Sequence, residues 1–486
     1  MSAFVSIFHR DGRPVDPARL ASLAASLESY GEETATWCRG PLGVAVRHRR
    51  GARHAPIHTD EGSGRLAALA GHLHLADATE PATAAGLLAG SEAESGEGPA
   101  GARGSFALLL ADPRRGRLHL QRDPLGKHGV FYALGPDLLL AASEPSALVA
   151  HPAVGDEIDE AAVARFLGFR FPAGEGSFHR AIRQLPPGHR LVVGDGEATV
   201  ERCWRLRRLP ALAGGGADEL AAGLVTHLAQ AVGDEIAGGD PRRVAISLSG
   251  GLDSTALAAV APRGARAFSW TFADHPEADE RRRVEAVARH LELPLTFVPG
   301  DGLEPLTGDF FDRFVHPESP YVNPFAALKC RLYATARDAG CEQVLVGDGG
   351  DALHAAREHW LRDLLAAREP GALGSLATTL RRATGGDRFA RRALGRLLPF
   401  DRLRRPLRRL LRRDPPPWLT AEGRAALPPS SLSPTLPPGP QRTRHELTAG
   451  VLHGELESEE RRLFAYCGVE RGNPFWSWPL VEWALR

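Results

Sequence analysis

Lysine is almost missing from this chain. Of 59 basic residues only Lys127 and Lys329 are lysine, and the rest are arginine. With abundant Ala, Gly and Pro, that bias reads as the coding habit of a GC-rich bacterial genome and not as a functional choice. Net charge is missing too: 59 acidic residues balance the 59 basic ones. Nothing therefore draws the whole chain toward nucleic acid or a membrane surface. Cysteine is sparse, with five scattered residues and no CxxC. That excludes a disulfide framework and a Cys-based zinc site, and it fits a reducing cytosol. No apolar run is long enough to cross a bilayer. The opening MSAFVSIFHRDGR has no basic segment followed by a long apolar stretch, so no signal peptide is expected and the location is read as cytoplasmic. The histidines are not spaced as metal ligands; His290 and His316 read as surface or core residues.

What is present is a globular composition, 43% hydrophobic and 24% charged, over 486 residues. That length exceeds one ordinary core, and two domains are expected, at 1–210 and 217–486. The first reads as packed sheets with few helices. Phe106–Asp112, Arg117–Asp123 and Asp137–Ser143 are strand-like runs separated by turn residues. Arg190–Trp204 reads as a hairpin turning at Gly194-Asp195-Gly196, and Gly90–Gly104 as a mobile loop. Gly214-Gly215-Gly216 reads as a linker. Ala217–Ala237 then has helical spacing, with Leu220, Leu224, Leu228 and Val232 on one stripe. Beyond it strands and helices alternate through QVLVGD, the rhythm of a doubly wound parallel sheet. Arg381–Arg413 reads as a solvated helix pair or as a surface for an acidic peptide segment, and Leu427–Gly439 as a loop. Trp476, Trp478 and Trp483 read as core packing.

The chemistry concentrates in two turns. In AISLSGGLDSTALAA (Ala245–Ala259) a buried strand ends at Ser249-Gly250-Gly251, and a helix starts near Asp253. Glycines let backbone N–H groups approach an anion, and a helix N-terminus adds unpaired donors and a positive dipole end. There is no GxxxxGKS lysine, so the missing cation is read as Mg²⁺ held by Asp253 against phosphate oxygens. The alternative is that Asp253 and Ser254 only cap the helix. The second turn, VLVGDGGDAL (Val344–Leu353), again ends a strand in glycines and carboxylates, Asp348 and Asp351. In a parallel sheet both turns lie at the carboxyl edge, where ligands bind, and Asp351 can give the second metal contact. The alternative is a plain Asp-Gly turn.

SGGLDS followed at this separation by VLVGDGGDAL resembles the PP-loop ATP pyrophosphatases of the asparagine synthetase group. Gly104-Ser-Phe-Ala, Arg122-Asp-Pro-Leu-Gly, Ala142-Ser-Glu, Leu185-Pro-Pro-Gly-His, Asn473-Pro-Phe-Trp and Leu480-Val-Glu-Trp-Ala-Leu resemble further landmarks of that group. The resemblance implies an α/β chain: an N-terminal glutaminase-like (Ntn-type) β-rich sandwich, then a C-terminal doubly wound parallel-sheet synthetase domain. It also implies ATP and Mg²⁺. The nucleotide contacts carried over are Ser247, Ser249, Gly250, Gly251, Asp253, Ser254, Trp270, Val346 and Gly347. Asp253 and Asp351 would hold the metal, and with Asp348 they form the implied catalytic set; Asp348 stands where the group often has Glu.

The departures carry as much meaning. Ser2 stands where a working glutaminase needs Cys, and AGHLHL (Ala70–Leu75) replaces the NGEIYN that binds glutamine. Glutaminase activity is therefore expected to be absent, and the nucleophile to be another amine. The opening segment, the helix after the acidic turn and PPPWLT resemble the lasso peptide cyclase branch. That resemblance implies adenylation of an Asp or Glu side chain of a core peptide and closure of a macrolactam by the peptide's N-terminal amine. It implies as partners a precursor peptide, a leader peptidase and a leader-recognition protein, with no nucleic acid and no membrane. Three rivals stay open: a β-lactam synthetase-like small-molecule enzyme, an ammonia-dependent asparagine synthetase, and a non-catalytic nucleotide-binding scaffold. The group's C-terminal Lys has no counterpart before Arg486; Lys329 reads as mid-helix and Lys127 as part of the first domain. Nor is a base for the amine legible: Tyr333 reads as core and Glu358 as surface.

Overall fold

The computed structural model describes residues 1–50, 55–76, 78, 80–90, 101–168, 176–194, 197–204, 216–236, 239–303, 323–351, 418–426 and 455–484. The readings of Arg381–Arg413, Leu427–Gly439, His316 and Glu358 lie outside these residues. Contacts group the chain into two compact units. One comprises Met1–Asp159, Ala173–Leu353 and Leu452–Arg486; the other comprises Glu160–Pro172 and His354–Val451. In the second unit the described helices Glu160–Leu167 and Ala421–Ala426 pack together, with Gly423 against Ala164.

In the first unit, the N-terminal half is two six-stranded antiparallel sheets. One runs in the order Arg183–Gln184, Phe131–Leu134, Leu138–Ala142, Ser2–His9, Leu42–His48, Glu33–Arg39. The other runs Glu197–Arg202, His189–Gly194, Arg117–Arg122, Arg103–Asp112, Leu66–His74, Ile57–Thr59. Side chains alternate across each strand. Phe4 and Phe8 enter the core between the sheets with Val44, Leu109 and Leu120. Ala3, Val5 and Ile7 face a helix layer that includes Leu20 and Leu23. Both faces are covered, so these strands lack the polar–apolar alternation of a half-exposed sheet. The expected strands are all present. The Gly90–Gly104 reading is corrected at both ends: Ala84–Gly90 is a helix and Arg103 already starts a strand.

The RDPLGKH segment shows why a charged motif can sit in a core. Arg122 is 1% exposed and donates to three carbonyls, His128 O at 2.7 Å, Gly126 O at 2.7 Å and Leu185 O at 2.8 Å. Asp123 accepts the N–H groups of Leu125, Lys127 and His128 at 3.0, 3.0 and 2.7 Å. The pair ties the loop internally, satisfying groups that burial would otherwise penalise.

The C-terminal half holds a five-stranded parallel sheet in the order Leu295–Pro299, Arg266–Thr271, Val244–Ser247, Gln343–Leu345, Glu470–Gly472. Its central strand is buried on both faces, with Val244, Ala245 and Ile246 at 2%, 0% and 0% exposure, which explains the unbroken apolar run. The fifth strand is one that hydropathy does not announce, since Glu470-Arg471-Gly472 looks like loop. The helix is present at Ala217–Ile236, but its stripe is shorter than expected. Leu228 and Val232 are buried, Leu224 is partly buried and Leu220 is exposed, because only the C-terminal half of the helix packs on the sheet.

That C-terminal half ends in Asp234 and Glu235, carboxylates at the end of a helix where the dipole opposes them. Cations from the N-terminal half answer both. Arg103 Nε donates to Asp234 Oδ2 at 2.6 Å, and buried Lys127 pairs with Glu235. A second buried cluster joins Arg462 to Glu144 at 2.8 Å, and Glu144 to the Tyr30 hydroxyl. The two halves are thus fastened by paired charges inside one unit.

Candidate active site

Strands Val244–Ser247 and Gln343–Leu345 are adjacent and parallel, with Ile246 opposite Leu345. Their following turns therefore meet at the carboxyl edge. In the first turn, Ser247 ends the strand and Leu248 N–H donates to Phe268 O at 2.9 Å. Ser249 N–H donates to Ser254 Oγ at 3.2 Å, and the two hydroxyls lie 3.1 Å apart, which closes the loop on itself. Gly250 has φ +69°, in the left-handed region, and a Cβ there would come within 3.1 Å of Arg283 Cβ. The helix is Leu252–Ala259, and its N-cap is Gly251, with no side-chain cap bond. Asp253 lies inside the first turn, so the reading of Asp253 as a cap is corrected. Without a capping side chain, the first-turn N–H groups remain for a ligand oxyanion.

The second turn brings Asp351 against Asp253. Burial and then the Asp351 carboxylate raise the Asp253 carboxyl above its ordinary value, opposed by the Asp351 N–H that bonds its charged form. Two carboxylates this close repel unless a cation sits between them. Among the described residues no group of three or more His, Cys, Asp or Glu is placed to hold a metal. A pair is nonetheless what Mg²⁺ needs when phosphate oxygens and water complete its shell. The residues fit that ion. Gly350 makes the approach possible: a Cβ there would overlap the Asp253 carboxyl group. Gly350→Ala is accordingly expected to separate the pair. ATP–pyrophosphate exchange should fall at least about tenfold with little change in thermal melting, as expected when misplacement and not unfolding is the cause. Exchange at the parent rate would refute the close approach.

Val346 and Gly347 lead into this turn; Val346 N–H donates to Gly472 O at 2.9 Å, so the unforeseen fifth strand holds it. Asp348 points elsewhere, to Arg471 at 3.0 Å. Burial would raise its carboxyl, but Arg471 and Lys329 outweigh that and hold it below the ordinary value. Trp270 is the penultimate residue of the strand on the other side of the central one, and its Nε1–H donates to Leu328 O at 3.3 Å. The structure thus brings Asp253, Ser254, Gly347 and Asp351 together, with Asp348 facing Arg471. Sequence reading took Asn473 only as a family landmark and Lys329 only as a mid-helix residue, and it missed Arg471. Asn473 donates to Asp348 O at 2.8 Å and accepts from Arg471 at 3.2 Å in the orientation its partners require. The one available signal was the retention of Lys at 329 in a chain that otherwise uses Arg.

In the N-terminal half, Ser2 Oγ accepts the Gly71 N–H at 2.7 Å. Ala70, in the place of the expected Asn, is 1% exposed and packs in the core between the sheets. His72 faces the Glu235 carboxylate at 3.8 Å.

Comparison with known proteins agrees with this division. Residues 90–204 match a glutamine amidotransferase domain, and residues 227–486 match the asparagine synthase family. The amidase chyE of Penicillium rubens is 25% identical over 283 residues, 54% of this chain and 41% of that protein. The glutamine-hydrolysing asparagine synthetase 3 of Bacillus subtilis is 30% identical over 161 residues, 32% of this chain and 25% of that protein. The chain spans less than half the length of the curated relatives it matches. Among solved structures, the glutamine phosphoribosylpyrophosphate amidotransferase of B. subtilis covers 71% of this chain and 81% of its own, at 14% identity and a TM-score of 0.30. With the family match extending over more than half of its residues and the carboxylate pair standing at the carboxyl edge of its parallel sheet, the chain belongs to the asparagine synthase family.

Proposed function

We propose that the chain is an ATP-dependent lasso peptide cyclase. It adenylates an Asp or Glu side chain of a core peptide and closes a macrolactam with that peptide's N-terminal amine, releasing AMP and pyrophosphate. One contrast supports this reading: the carboxylate pair and glycine turns of the synthetase half are kept, while the glutaminase half carries Ser2 and a core-packed Ala70. Carboxylate activation remains possible and ammonia supply from glutamine does not, so the amine comes from elsewhere.

The geometry supports the following roles. N–H groups at Gly250, Gly251 and the first turn of the helix would cradle the β,γ-phosphates, with Ser249 and Ser254 fixing the loop. Asp253 and Asp351 would hold Mg²⁺, which when bound neutralises phosphate charge. The peptide carboxylate attacks the α-phosphorus and pyrophosphate leaves. Positioning and charge neutralisation supply most of the rate.

The test is incubation with ATP, Mg²⁺ and a panel of synthetic leaderless peptides, each with a free α-amine and one internal Asp or Glu. The expected product is one water lighter than the peptide, with one AMP released per ring. AMP release with small amino or carboxylic acids and none with any peptide would instead favour the small-molecule rival. Ser2→Ala removes one part-buried hydrogen bond with the Gly71 N–H, and it is expected to leave ring closure within about twofold of the parent. A loss of tenfold or more would restore an N-terminal nucleophile.

A further inference from the structure

The acidic turn has a second neighbour, which supplies a role the sequence leaves empty. On helix Ala326–Asp338, Lys329 and Tyr333 are one turn apart and share a face; on helix Glu455–Cys467, so do Glu460 and Phe464. The two helices pack together, and Tyr333 stacks on Phe464 with centroids 4.1 Å apart. At the polar end of this seam Lys329 Nζ donates to Glu460 Oε1 at 2.8 Å. Asn323 Nδ2 donates to the same oxygen at 2.6 Å, its own Oδ1 being fixed by the Phe325 N–H at 2.9 Å.

Both donors therefore serve Oε1. Oε2 of the same carboxylate is buried and has no hydrogen-bond partner among the described residues, on a side chain only 12% exposed. A charged oxygen left bare in this way is costly. It is tolerated where a ligand completes it. The seam also adjoins the turn. Arg471, which pairs with Asp348 at 3.0 Å, places its guanidinium 5.9 Å from the Phe464 ring, and Lys329 is among the charges that hold the Asp348 carboxyl down. Asp348 is three residues from Asp351, on the face that Arg471 covers.

We propose that Glu460, oriented by Lys329 and Asn323, receives the nucleophilic amine at Oε2 and accepts its proton during amide formation. This rests on the amide-forming reading above. The amine nitrogen bonds to the acyl carbon of the adenylate. The bond from that carbon to the phosphate oxygen breaks, and AMP leaves with the electron pair. One N–H proton passes to Oε2 and returns to solvent when product departs. Arg471 and Lys329 keep neighbouring charge balanced, and Tyr333 and Phe464 form the apolar wall that keeps the carboxylate in place. Lys329 is then a positioning residue and Glu460 the catalytic one.

Glu460→Gln is isosteric, keeps an acceptor for Lys329 and Asn323, and turns the Oε2 position into a donor. Three rates are compared, using a synthetic panel of linear peptides with a free α-amine and one internal Asp or Glu. They are ATP–pyrophosphate exchange, lactam formation, and hydroxamate formation with added hydroxylamine, a nucleophile that needs little help from a base. The expected result is lactam formation down about 100-fold or more, the usual scale for a lost general base. Exchange and hydroxamate should stay within about twofold. Lactam formation at the parent rate overturns the assignment, and so does parallel loss of all three, which would mark Glu460 as structural. Should the glutamine variant not fold, Glu460→Asp, with the carboxylate one methylene short, is expected to show the same split at smaller amplitude; no split overturns the assignment. Parent protein without exchange on any peptide overturns the peptide-cyclase reading itself.

Discussion

Asp351→Asn is expected to abolish substrate-dependent AMP release. Asparagine keeps the shape and the backbone N–H that bonds Asp253, but removes half of the carboxylate pair. A bound divalent ion supplies several kcal/mol of charge stabilisation in such a transfer. At about 1.4 kcal/mol per tenfold, its weakened hold corresponds to a rate loss of about 100- to 1000-fold. The melting temperature should not fall, because removing one of two repelling carboxylates relieves the native state. Excess Mg²⁺ should rescue part of the rate if the lost carboxylate acted through the metal. Turnover equal to the parent would remove Asp351 from the site, and with it the main support for reading this edge as a phosphate-binding centre.

The largest expected stability change lies away from that edge. Lys127 and Glu235 are 8% and 3% exposed and pair across the two halves of the first unit, with Lys127 also donating to Asn473 O at 3.3 Å. Lys127→Met leaves a buried carboxylate whose Oε2 already lacks a hydrogen bond among the described residues. Breaking a buried pair from one side costs about 3–5 kcal/mol. A midpoint shift of that size should appear in urea unfolding followed by intrinsic fluorescence. Adding Glu235→Leu should recover most of it, since an apolar pair of similar volume often replaces a buried ion pair without loss. A single variant within about 0.5 kcal/mol of the parent, the range of ordinary surface changes, would show that water reaches the pair and that it does not fasten the halves. Asn473 connects the two experiments: its carbonyl meets Lys127 and its side chain meets Asp348 and Arg471. Weakening the junction is therefore expected to loosen the acidic turn as well.

Both local turns were legible because their information is short-range. A buried strand, two or more glycines and a carboxylate within a few residues define a loop shape and a charge without reference to the rest of the chain. Gly250 takes a positive φ, Gly350 allows the approach to Asp253, and each belongs to a run that already looked like a turn. The sandwich was legible for a related reason: apolar runs punctuated by turn residues specify strands even when both faces are covered. Glu470–Gly472 was not legible, because a three-residue edge strand with two charged side chains has no hydropathic signature and forms only because Gln343–Leu345 offers it a partner. The capping reading of Asp253 failed by two residues, a shift that decides whether a carboxylate caps a helix or faces a ligand.

The lysines mark the boundary between the two kinds of information. From residue order alone came the strand–glycine–carboxylate turns, the parallel-sheet rhythm, and the substitution of Ser2 and Ala70 in the N-terminal half, all of them contiguous patterns. Tertiary structure alone decided that both lysines are inward: Lys127 against Glu235, 108 positions away, and Lys329 against Glu460, 131 positions away. Charge pairing in a core depends on which surfaces are brought together and how far water is excluded. Neither quantity is written in the spacing of neighbours along a chain.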